Sequence, residues 1–242
     1  MDADEFLRRY AAGERNFSNT KLVGISLREV NLVGVNFSSA NLSNSDLREA
    51  RLGQANLFQA NLESTNLSET ILWGADLSEA YLHRAELREA DLSGAKLIKA
   101  FLEEAKLAKA ILNGADLRGA NLVNAMLFAA DFSPSSDRQT NLKEAILRGA
   151  ELSYAYLSGA RLHRANLDGA KLCRSILGNW KKDKFYQTDL SEASLQGADL
   201  SYADLTGVNL QKANLRGADL TRTILTDTNL KGAVMPDGTI HD

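Results

Sequence analysis

"ANLFQANLESTNLSETILWGADLSEAYLHRAELREADL", residues 55–92, places Leu at every fifth position from Leu57 to Leu92. The spacing extends well beyond this stretch. Large apolar centres run in steps of five from Phe17 to Phe132, from Leu142 to Leu177 and from Leu190 to Met235, 42 centres in all. All but Phe17, Phe37, Phe132 and Met235 are Leu. Two residues before the centre, 28 of the 42 are Ala; one residue before it, 22 are Asn or Asp. Gly stands two residues after the centre 13 times.

Neither regular structure accommodates a period of five. On a helix, five residues advance about 500°, so the Leu side chains would wander round the circumference. On a straight strand an odd step sends alternate Leu to opposite faces. A chain that bends at every repeat resolves this. The centre and the residue two before it then point inward, and the residue two after it sits in a turn with positive φ, where Gly or Asn fits. Four bends close a square coil of about 20 residues, and coils stack through backbone hydrogen bonds about 4.8 Å apart. The class expected is all-β: a quadrilateral β-helix of about ten and a half coils, roughly 50 Å long.

The ends require caps. Residues 1–14 are predicted to form a helical cap, with Asp2 or Asp4 starting the helix, Gly13 ending it, and Phe6, Leu7, Tyr10 and Ala11 covering the first coil. The β-helix is predicted over 15–235, with a tail over 236–242. Pro236 after the last centre predicts a terminated ladder and a monomer.

Two breaks interrupt the fives. Trp180 to Gln187, "WKKDKFYQ", adds eight residues to the count. At the other break, "SPSSDRQTNL" over 133–142, Asp137 falls at a centre slot. Either Ser135 to Gln139 loop out, so that both loops leave one corner about 10 Å apart, or Asp137 enters the lumen and the loops leave adjacent corners. The three aromatics of the longer insert either read a partner or pack back on the rod. The 20-residue register places Trp73 on the corner leading to the first loop, with Ile71 and Ile111 on the adjoining face and Tyr81 stacked on Phe101 opposite. The candidate partner-binding residues are therefore Trp180, Lys181, Lys182, Lys184, Phe185 and Tyr186, with Trp73, Ile71, Ile111, Asp137 and Arg138.

Composition excludes several classes. Lys and Arg total 28 against 31 Asp and Glu, which gives no bulk signal for nucleic acid or an anionic membrane. No apolar run reaches the roughly 20 residues of a membrane helix. One cysteine, Cys173, and the acidic start "MDADEFLRRY" predict a cytoplasmic protein without disulfides or a signal peptide. His83 and His163 lie about four coils apart and cannot share a metal. The glycines follow the repeat rather than any phosphate-binding loop. No catalytic, metal or cofactor site is expected.

"ADLSGAKL", "ADLRGANL" and "ADLSYADLTGVNL" resemble the pentapeptide-repeat family, A(D/N)LXX, and the resemblance covers about residues 15–235. It implies a right-handed coil. "ILWGADLSEAYLHRAELREADLSGAKL", "PSSDRQTNL" and "GAVMPDGTIHD" resemble cyanobacterial members that act in heterocyst differentiation. That implies a non-enzymatic scaffold binding a regulator, either the heterocyst transcription factor HetR or a patterning protein. Other members mimic duplex DNA and modulate DNA gyrase, which is the alternative. The mixed charges of Arg84, Glu86, Arg88, Glu89 and Lys96 weigh against such a mimic and against direct nucleic-acid binding.

Overall fold

The computed structural model describes residues 1–178 and 186–242. The repeat folds into a stack of four-sided coils. Ile71, Asp76, Tyr81 and Glu86 stand on the four successive faces of one coil and pair, in parallel, with Asp91, Lys96, Phe101 and Lys106 of the next. The expectation of β-structure takes a sparse form. Among the described residues the ladder consists of isolated bridges, with no continuous strand. A turn follows each centre, so each repeat leaves a single residue extended enough to bridge.

The turn geometry is explicit. The amide of Ala40 donates to the carbonyl of Phe37 at 2.9 Å, and the residue between them, Ser39, has φ of 56°. This i to i+3 bond with positive φ at the third position marks a type II turn. Gly and Asn were expected at that position, yet Glu29, Lys99, Arg174 and Tyr202 also occupy it, among 26 non-glycine residues with φ of 54–61°. The left-handed region costs such residues roughly 1–2 kcal/mol each. Inter-coil bonds made from the same residues offset that strain: the Glu69 amide, for example, donates to the Arg88 carbonyl at 2.9 Å.

The lumen is filled by the centres and the small residues two before them. Leu102 and Ala100 are fully buried, as are nearly all their equivalents through Leu215. Helix α1, Ala3–Ala11, closes the first coil, with the Asp2 side chain accepting from the Glu5 amide at 2.8 Å. Phe6 is the plug. It is fully buried and lies 4.5 Å from Phe17 and 5.7 Å from Phe37, centroid to centroid. Tyr10 packs beside it, whereas Leu7 and Ala11 face outward, so the covering face is narrower than its apolar residues suggest. At the other end the backbone does not stop at Pro236. It folds back to pair Val234 with Ile240 antiparallel. That hairpin runs alongside the coil and leaves Leu220, Leu225, Leu230 and Met235 only partly buried.

The register shows where the inserts leave. Asp116 bridges Asn141 and Asp131 bridges Tyr156, a step of 25 (141 − 116 and 156 − 131) in place of 20. Arg161 bridges Asp189 and Ile176 bridges Asp204, a step of 28 (189 − 161 and 204 − 176). Asp131, Tyr156, Ile176 and Asp204 form one column, so both extra segments emerge from the same corner, two coil steps apart (after Asp131 and after Ile176). Asp137 is exposed, and the lumen slot of that repeat is not filled by it.

Candidate protein-binding surface at the loop corner

The face carrying Ile71, Asp91, Ile111, Asp131, Tyr156, Ile176, Asp204 and Ile224 ends in the corner from which both inserts depart. Departure breaks the backbone ladder locally. In an uninterrupted coil the glycine after the turn donates to the coil ahead, as Gly94 does to Asn113 at 2.9 Å. The loops remove that acceptor for Gly114 and Gly159, both of which are buried. A threonine restores it each time. Gly114 N donates to Thr140 Oγ1 at 2.9 Å, and Gly159 N donates to Thr188 Oγ1 at 2.8 Å. Both threonines are buried where most repeats have Ala, and the Thr188 hydroxyl donates to the Leu177 carbonyl.

The residue before each threonine repeats as well. Gln139 Nε2 donates to Gly159 O at 2.8 Å, and Gln187 Nε2 donates to Gly207 O at 2.9 Å. Both inserts therefore rejoin the coil through the same device: "QTNL" at 139–142 and "QTDL" at 187–190. Gln clamps the coil ahead while Thr repairs the coil behind. This duplication stands in the sequence, but it acquires meaning only after the register has placed the two motifs in one column.

The two loops meet over Gly159. A Cβ there would stand 2.7 Å from Pro134 Cγ and 2.9 Å from Tyr186 Cβ, and φ is +74°. On the N-terminal side the first loop lies on Gly114, where a Cβ would stand 2.6 Å from Ser135 Oγ. A tight turn, Ser135 N to Arg138 O at 2.8 Å, holds this loop. Between the loops is an open recess of about 310 Å³. Asp137, Arg138, Gln139, Asn141, Arg161 and Tyr186 line it together with Asp116. Asp116 is held by the Arg118 guanidinium, at 2.7–3.0 Å, and Arg138 stands 3.9 Å from Asp137. Arg161 has no carboxylate partner among the described residues. The recess thus offers a guanidinium with no carboxylate partner among the described residues, two amide side chains and a phenol, a set that suits a carboxylate-bearing side chain.

Of the sequence candidates, Asp137, Arg138 and Tyr186 converge on this recess. Trp180, Lys181, Lys182, Lys184 and Phe185 lie outside the described residues. Trp73 is on the same corner three coils before the first loop, but its ring turns away and covers Gly53, where a Cβ would stand 2.6 Å from Nε1. Ile71 is half-buried and Ile111 exposed, with Asp91 between them, so neither joins the recess. Arg161 and Gln139 were not among the candidates. Each occupies an ordinary repeat or loop position, and only the step of 28 residues at Arg161 sets it opposite the loops.

The outer charges interleave by sign. Lys96 pairs with Asp76, Arg84 with Glu104, Lys106 with Glu86 and Lys109 with Glu89, at 2.8–3.7 Å. Hydrogen bonding to Arg84 holds the Glu104 carboxyl below its ordinary range, and Arg164 does the same to Glu192. No group of three or more His, Cys, Asp or Glu is placed to hold a metal ion among the described residues. No helix there is long and apolar enough to cross a membrane.

The model of the pentapeptide-repeat family matches in eight copies, over residues 16–48, 45–84, 55–94, 85–124, 138–179, 184–211 and 198–235. No curated protein matches significantly. Among solved structures, HetL from the cyanobacterium Nostoc sp. strain PCC 7120 is 56% identical over 100% of both chains, with a TM-score of 0.85. HetL is described as a pentapeptide-repeat protein involved in heterocyst differentiation regulation. QnrB1, a plasmid-mediated fluoroquinolone resistance protein, is 17% identical over 85% of this chain and 89% of its own, with a TM-score of 0.47. Rfr23 from the cyanobacterium Cyanothece 51142 is 20% identical over 99% of both chains, with a TM-score of 0.27. The last two are too distant to carry an argument. The periodic lumen, the turn geometry and the family match lead to one conclusion: the chain belongs to the pentapeptide-repeat family.

Proposed function

We propose that the protein is a non-enzymatic scaffold, acting in the cytoplasm of a cyanobacterium, that regulates heterocyst differentiation by binding a regulatory protein of that pathway. The partner is the transcription factor HetR or a patterning protein, and the loop corner is where it is read. The observation carrying this reading is the 56% identity to HetL across the whole of both chains. The recess supports its placement, since it is where an otherwise repetitive surface acquires irregular backbone and an arginine, Arg161, without a carboxylate partner among the described residues.

The alternative, a DNA mimic that modulates DNA gyrase, requires a continuous acidic face. Here acids are neutralised one coil away by cations, as in Arg84–Glu104 and Lys106–Glu86. Titration calorimetry with purified HetR, patterning proteins and gyrase subunits separates the two readings. The proposal expects binding to a differentiation regulator that weakens in Arg161→Glu. Binding to gyrase subunits alone overturns it.

A further inference from the structure

The face bearing Tyr156, Ile176 and Ile224 has a second edge, the corner opposite the loop corner across that face. Its last five coils carry a continuous ladder of aromatic and arginine side chains. The Phe128 ring lies 5.4 Å from Tyr154. Arg174 sits between Tyr154 and Tyr202, at 5.8 and 5.4 Å from the ring centroids, and Arg222 covers the other side of Tyr202 at 5.5 Å. Arg174 also donates to the Tyr154 hydroxyl at 3.0 Å. Tyr154 and Tyr202 are each 44% exposed.

Earlier coils use the same corner differently. There the cations are neutralised: Arg28 by Glu49 at 2.6 Å, Arg88 by Glu69 at 3.8 Å and Lys109 by Glu89 at 3.7 Å. Arg174 and Arg222 have no carboxylate partner among the described residues. They are pre-aligned by stacking, which lowers the entropy lost when a ligand orders them. Two coils separate them, about 9.6 Å at the stacking repeat. Three residues of extended or polyproline chain span about 9–10 Å.

We propose that this corner is a second docking surface, which takes an extended acidic segment of a partner protein with carboxylates three residues apart. Each carboxylate pairs with one arginine, and the intervening apolar side chains lie on the exposed faces of Tyr154 and Tyr202. Aromatic residues with arginine also stack single-stranded nucleic acid. Asp199, Asp219 and Lys171 on one adjoining face and Asp204 on the other leave little net positive charge beyond the two arginines, which matches two spaced carboxylates better than the continuous charge of a phosphate backbone. The surface lies away from the loop corner and does not depend on the function proposed above.

Fluorescence anisotropy with a labelled peptide of four Glu-Leu-Pro repeats tests the inference. The Gln-Leu-Pro peptide and a labelled oligothymidylate serve as comparisons. The wild-type chain is expected to bind the Glu peptide in preference to both. The double variant Arg174→Glu, Arg222→Glu is expected to bind it roughly tenfold or more weakly. Glu already occupies this turn position at Glu29, Glu49, Glu69 and Glu89, so the variant should keep its thermal midpoint. Lys99→Glu, at the same turn position on another corner, should leave peptide binding unchanged. The inference is overturned by equal binding of the Glu and Gln peptides, by undiminished binding in the double variant, by an equal loss in Lys99→Glu, or by preference for the oligothymidylate.

Discussion

Thr140 and Thr188 occupy the same column of the lumen, separated by Ala160, and each accepts a hydrogen bond from a buried glycine amide stranded by an inserted loop. A regular ladder and an irregular loop are incompatible at one place, the amide that loses its acceptor. A hydroxyl, placed where the neighbouring Ala115 and Ala160 of the column offer only a methyl group, resolves the conflict. Thr140→Val or Thr188→Val keeps the shape and removes the acceptor. Each should cost about 1–3 kcal/mol, the penalty for a buried donor left unmade. Ser at either position should recover most of that loss. Urea unfolding of the four variants checks it.

Gly159 separates strain from contact. Gly159→Ala forces a Cβ into both Pro134 and Tyr186 at φ of +74°, whereas Gly207→Ala at φ of +70° meets nothing within 4 Å. The Gly207 variant should lose only the roughly 1–2 kcal/mol of left-handed strain. The Gly159 variant should lose more and should displace the loops. Comparing their thermal melts, with the crystal structure of the Gly159 variant, tests the meeting of the two loops.

The assignment of centres to the lumen is tested at Leu102, which is fully buried between coils. Leu102→Asp should abolish the cooperative melt, because no cation can reach a charge placed there. Leu102→Met should cost less than about 1.5 kcal/mol. Circular dichroism on both variants is sufficient. A folded Asp variant of wild-type stability contradicts the inward assignment.

Stability should also fall in acid. Hydrogen bonds lower the carboxyl of Glu104 through Arg84, of Glu192 through Arg164 and of Asp46 through Arg48. A carboxylate with a lowered folded value stabilises above its unfolded range and loses that contribution as pH falls through the folded one. The thermal midpoint should thus be flat from neutral pH down to about pH 5 and decline below about pH 4. Arg84→Gln should flatten part of the decline.

Much of this architecture was legible in the residues. Leu at fives and Ala two residues before encode the lumen, and counting from Leu142 to Leu177 encodes the shared corner. Other features follow from three dimensions alone. The step of five places Trp73 on the loop corner but does not say that its ring turns back onto Gly53. Leu7 belongs to the apolar residues of α1 yet stays outside, because Phe6, with Tyr10 beside it, already covers the opening against Phe17 and Phe37. Tolerance of Glu, Arg and Tyr at positive φ was not foreseen either, since single-residue preference is outweighed by the amide bond each such residue makes to the coil ahead. The repeated Gln-Thr exits were visible as letters, but their equivalence rests on steps of 25 and 28 residues.

The loop corner as the surface read by a regulator is the central claim. Amide hydrogen exchange of the protein, free and with HetR or a patterning protein bound, tests it most directly. The account predicts new protection at Ser133 to Gln139, at Tyr186 to Thr188 and around Arg161. Protection confined to the coils before Asp131, with the loop corner unchanged, would contradict it.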